Sequence, residues 1–80
     1  MQTWVEIHNE VPKRRKRGSW ELCFQNVTYH YADGTTDDGY RFIWRRPDNT
    51  LQPARGQARI PNAAALDKLI KEAKSDGWFR

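Results

Sequence analysis

Tyr40, Phe42 and Trp44 alternate with Arg41, Ile43 and Arg45. This is the cleanest two-residue period in the chain, and it predicts a β-strand with aromatic rings on one face and a largely cationic opposite face. Residues 20–31 are equally rich in aromatic and β-branched side chains, but their alternation changes phase. Trp20, Leu22 and Phe24 share one face, whereas Val27, Tyr29 and Tyr31 share the other. A bulge near Gln25 and Asn26 reconciles the two halves, because one extra residue re-aims every side chain after it. The Gly- and Asp-rich stretch 32–39 joins the two runs as an antiparallel hairpin. Residues 4–7 form a weaker strand, with Val5 and Ile7 on one face and Trp4 and Glu6 on the other.

Beyond the second strong strand, residues 46–50 read as a turn: Pro47 pre-sets φ, and Asp48 and Asn49 can bond their own backbone. Residues 51–60 contain Pro53 and Gly56, which places them at a sheet edge or restricts the strand to residues 55–60. The period then changes. Leu66, Leu69, Ile70 and Ala73 recur at i, i+3, i+4 and i+7, predicting an amphipathic helix over about residues 62–76. Asn62 suits its N-cap, Lys71 and Lys74 suit the negative end of its dipole, and Gly77 suits the left-handed residue that ends it. Trp78 then folds back on the last turn. The expected class is α+β: a small antiparallel sheet of three to four strands with one C-terminal helix packed on one face. The opposite sheet face stays open.

Eighty residues fill one core, so residues 1–80 are read as a single domain. The ten aromatic residues compensate for the small size, and some are surplus to the core and available for a binding surface. Cys23 is the only cysteine, which excludes an intramolecular disulfide and points to a reducing compartment. With no apolar run of signal or spanning length, the expectation is a cytoplasmic protein without a membrane role, with the nucleus as the alternative in a eukaryotic cell.

Charge changes the picture most. Of the 14 Lys and Arg, five stand together as Lys13, Arg14, Arg15, Lys16 and Arg17, so the rest of the chain carries one more carboxylate than cation. The net charge of +4 is therefore local. Such a run is too self-repelling for a core and reads as an exposed basic loop over residues 12–18. Each phosphate it neutralises releases counterions, which makes a polyanion its natural partner. Arg41, Arg45, Arg46, Arg55 and Arg59 extend the basic set, with Asp37 and Asp38 as the acids that neutralise arginines on adjacent strands. Residues 12–17 also match a short nuclear-import pattern, which arises readily by chance. The favoured function is a small non-enzymatic domain binding DNA or RNA through the loop and the arginine-bearing sheet face. The competing reading is a protein-interaction module or accessory protein that uses an edge strand or the aromatic patch around Trp4 and Trp20, with the loop meeting an acidic partner.

Other constellations are weaker. Tyr40, Phe42 and Trp44 form either a stacking platform for bases or the core face against the helix, and alternation with charge favours the core. Asp33, Asp37 and Asp38 crowd one loop but lack the spacing of a calcium-binding helix–loop–helix. His8, His30 and Cys23 have no metal-ligand spacing, His30 reads as an ordinary strand residue, and no cofactor or metal is expected. No nucleophile elbow or Gly-rich phosphate loop is present, so no enzyme is inferred.

Overall fold

The computed structural model describes residues 3–13, 18–52 and 58–79. The elements run β1 (Trp4–Val11), β2 (Glu21–His30), β3 (Thr36–Arg45) and α1 (Ala63–Ser75). The three strands form an antiparallel sheet in the order β1-β2-β3, with β2 at its centre.

The centre of the sheet explains the change of phase in β2. The β2–β3 register is continuous from Glu21↔Arg45 to His30↔Thr36, so no bulge interrupts β2. The irregularity lies instead on β1, where Ile7 faces Val27, Asn9 faces Asn26 and His8 is the extra residue. A straight β2 can carry apolar groups on opposite faces at its two ends because each end is packed differently. Leu22 and Phe24 join the helix-side core, whereas Val27, like Cys23 and Ile43, is buried on the other face.

α1 forms because its stripe of Leu69, Ile70 and Ala73 has the helical period and a sheet to lie against. Asn62 is the N-cap, its Oδ1 accepting from Ala65 N at 2.8 Å. At the other end Gly77 takes φ +82°, and Trp78 N–H returns to Ala73 O at 3.2 Å. The helix lies over β2 and β1. Val11, Leu22, Phe24, Leu69 and Ala73 make the core, with Phe42, Trp44, Ile70 and Trp78 packed around it. Burying a side chain such as Leu69 or Phe24 contributes about 1.5–3 kcal/mol.

Two turns share one construction. In residues 31–35, Tyr31 N–H donates to Thr35 O at 3.0 Å, Gly34 has φ +88°, and Asp33 Oδ1 accepts from Thr35 N and Oγ1. In residues 46–50, Arg46 N–H donates to Thr50 O at 2.8 Å, Asn49 has φ +76°, and Asp48 Oδ1 accepts from Thr50 N and Oγ1. The first turn is shorter than the 32–39 connection expected, so β3 begins at Thr36 and takes in Asp37, Asp38 and Gly39.

The second turn returns the chain beside β3 only briefly. Leu51 bridges Arg45, and Gln52 N–H donates to Trp44 O at 2.9 Å. The strand expected over residues 55–60 does not form where it is described: residues 58–60 are irregular, and residues 53–57 lie outside the described part. Among the described residues the sheet therefore has three strands. No described helix is long and apolar enough to cross a membrane.

Candidate functional site

The base of the cationic run is anchored to the far end of the helix. Lys13 N–H donates to Glu72 Oε2 at 2.9 Å, and Lys13 Nζ lies 3.3 Å from Asp76 Oδ2. Lys13 and Trp78 Nε1 together hold Asp76 below the usual carboxylate range, the bond from Trp78 being the larger cause. Arg14, Arg15, Lys16 and Arg17 lie outside the described residues. The chain is described again from Gly18, at φ +83°, and enters β2 past an exposed Trp20.

Because α1 leans toward β1 and β2, the space between it and Trp44 on β3 is left as a cleft of about 680 Å³. Trp20, Leu22 and Trp44 form the sheet side of the cleft, and Ala65 and Leu69 form the helix side. Pro12, Pro61 and the charged pairs Lys13 and Lys68, Glu21 and Glu72 complete its lining. A smaller hollow of about 250 Å³ continues between Trp20, Trp44, Gln52 and Arg59. Trp44 is fixed there because its Nε1 donates to Arg59 O at 2.8 Å. Sequence reasoning grouped Trp20 with Trp4 as an aromatic patch for a protein partner and did not place it in a cleft. The available signal was an indole three residues after the basic run and just ahead of β2.

The arginine-bearing face exists, but the protein supplies its own counter-charge. Arg41 and Arg45 point away from the helix, where Arg45 Nε and Nη2 donate to the two oxygens of Glu10 at 3.0 and 2.7 Å. These side chains are only 16% and 13% exposed, and the Glu10 hydrogen bond holds the Arg45 pKa above its ordinary value. Glu10 Oε1 also accepts from Gln25 Nε2 at 2.6 Å, and Gln25 Oε1 accepts from Arg41 Nε at 2.7 Å. Gln25 is completely buried, so this network satisfies a polar group that would be costly if left alone.

The neutralising acid is therefore Glu10, and not Asp37 or Asp38. Asp38 Oδ1 accepts from Thr28 Oγ1 at 2.7 Å, and Asp37 bonds the Tyr31 hydroxyl, raising its pKa. Arg46 closes its own turn through Thr50 Oγ1 and Leu51 O. Arg59 lies with the tryptophans and not beside Arg41 and Arg45. Arg55 is outside the described residues. The structure thus divides the candidate cations: Lys13 and Arg59 border the cleft, whereas Arg41 and Arg45 belong to an internal network.

Phe42 and Trp44 pack against the core as the alternation implied, while Tyr40 is half exposed. Its ring lies 5.8 Å from Phe24, 6.5 Å from Trp78 and 5.3 Å from Phe79.

The bulge at His8 assembles a polar group that sequence spacing concealed. His30 Nε2 lies 2.9 Å from Glu6 Oε1, His8 Nδ1 lies 3.8 Å from Glu6 Oε2, and His8 Nε2 lies 2.7 Å from Thr28 Oγ1. His30 is thus hydrogen-bonded to Glu6 and stacks on Trp4 at 4.0 Å. Among the described residues no three His, Cys, Asp or Glu side chains have a metal-holding arrangement. Cys23 is fully buried, and burial pushes its thiol pKa up to about 12, which leaves no nucleophilic thiolate at neutral pH.

Comparisons with protein-family models, with curated proteins and with solved structures gave no match.

Proposed function

We propose that the protein is a small non-enzymatic binding domain of the cytoplasm that takes nucleic acid through the 13–17 run and the tryptophan-walled cleft beside it. The observation that carries this reading is the attachment of the run. Its first residue, Lys13, is tied to Glu72 and Asp76 and lines the cleft, which supports a reading in which the run starts beside an apolar surface. Arg41 and Arg45 drop out as primary contacts, because recruiting Arg45 means breaking a nearly buried pair with Glu10 and recruiting Arg41 means breaking its bond to the buried Gln25. Trp20 takes their place, since covering its half-exposed indole releases about 2–3 kcal/mol of apolar surface free energy.

The deciding measurement is a binding series with single- and double-stranded DNA and RNA across salt concentrations. If the run neutralises four or five phosphates, affinity falls by roughly two orders of magnitude or more between 50 and 200 mM salt. Affinity that ignores salt removes this reading.

The second reading, a protein-interaction module, is favoured by β1. It is an edge strand that exposes Trp4 (57%) and Ile7 (41%), a surface suited to an added strand or an apolar partner. Binding of that kind changes little with salt.

A further inference from the structure

We propose that the half of the helix-side sheet face left bare by α1 docks an arginine-bearing segment of a protein partner, an inference that goes beyond the nucleic-acid reading and does not depend on it. The helix packs over Val11, Leu22 and Phe24. Beyond them on the same face lie two further cross-strand rows, Glu6–Thr28–Asp38 and Trp4–His30–Thr36. The hydrogen bonds from Thr28 to Asp38 and between His30 and Glu6, with the stack of Trp4 on His30, place these side chains on one surface.

Charge decides the kind of occupant. The two rows hold two carboxylates and no Lys or Arg, although the chain as a whole carries +4. Arg41 and Arg45 of β3 are turned to the opposite face, where Gln25 and Glu10 hold them. Elsewhere the described carboxylates of Glu10, Asp67 and Asp76 pair with Arg or Lys. Glu6 instead meets His30 and His8, and Asp38 accepts from Thr28. Both negative charges are therefore positioned by hydrogen bonds without being cancelled by a Lys or Arg of the fold. They stand on the two outer strands, two strand spacings or about 10 Å apart. One segment with two cations can meet both.

Trp4 favours arginine over lysine. Its indole is more than half exposed, yet it is held parallel to the His30 ring, with an angle of 4° between the planes. A guanidinium can lie flat on such a ring while its N–H fork reaches a carboxylate, here Glu6 two positions along the same strand face. An ammonium is a point charge without that fork. The half-exposed Tyr40 offers a second ring two positions from Asp38 on β3. Phosphate is repelled by the same carboxylates, and a purely apolar segment would leave them desolvated and unmatched.

The test titrates isotope-labelled protein with a tetra-arginine peptide, and with tetralysine for comparison, following backbone amides by NMR. Shifts are expected at residues 4–8, 28–30 and 36–40, with the weaker affinity for tetralysine. The double variant Glu6→Gln, Asp38→Asn keeps an acceptor for His30 and for Thr28 while removing both charges, and should bind tetra-arginine about five- to tenfold more weakly. Asp67→Asn, which removes one charge from the exposed face of α1, should bind as wild type does. Trp4→Ala touches no residue of the core cluster and should lose roughly two- to fivefold, so it carries the test if the double variant is not folded by circular dichroism. Shifts confined to other surfaces, or affinity unchanged by the carboxylate and Trp4 changes, overturn the proposal.

Discussion

Glu10 shows how much one residue can settle. Its carboxylate takes the forked contact from Arg45 and a hydrogen bond from Gln25, which in turn holds Arg41. Two cations on a sheet face thereby become part of a closed polar network and cease to be an anion site. Nothing local marks Glu10 for this role, since it lies 35 residues from Arg45. Cys23, on the same face, yields a prediction. Its pKa stands at about 12 when folded against an ordinary 9.0. Between those values the unfolded chain loses a proton that the folded one keeps. The contribution of the buried thiol is therefore fully present below pH 9 and is lost as pH rises toward 12, by about 1.4 kcal/mol per pH unit. Urea midpoints measured from pH 8 to 11 should fall less in Cys23→Ala than in wild type. Parallel curves for the two proteins would show that the thiol does not carry this effect.

Among the elements, the helix and the 46–50 turn were the most legible, because their signals are local. Asn62 caps α1 as its position implied, and replacing it by Ala should cost about 1 kcal/mol by leaving the Ala65 N–H without its acceptor. A thermal or urea melt of Asn62→Ala reads this directly, and an unchanged midpoint would mean that the cap is dispensable. The turns at 31–35 and 46–50 share a written pattern, Asp, then Gly or Asn, then Thr. The middle residue takes positive φ, and the Asp side chain gathers the Thr N–H and hydroxyl in both. That pattern stands in the sequence and locates the start of β3 at Thr36, earlier than composition alone placed it. The bulge was misplaced for a different reason. The phase change in β2 is real, but which strand absorbs an irregularity depends on both partners, and here it is His8 on β1.

For the whole molecule, the net charge of +4 comes from one run whose foot is bound to the end of α1. Replacing Arg14, Arg15 and Arg17 together by Ser should change folding stability by no more than about 0.5 kcal/mol, because such a loop adds little to the core. The same variant should leave a heparin column at much lower salt than wild type. Retention equal to wild type would mean that the run is not the anion-binding element. The sequence alone determined that strands form around residues 4–7, 20–31 and 40–45, that a helix follows near 62–76, and where the excess charge lies, because periodicity and composition are properties of neighbouring residues. Tertiary structure decided that Lys13 meets Glu72 across 59 positions, that Arg45 meets Glu10, and that a helix leaning over β1 and β2 leaves Trp20 and Trp44 facing a cleft. Those outcomes depend on strand register and helix placement, which arise from packing between segments far apart in the chain and have no local signature.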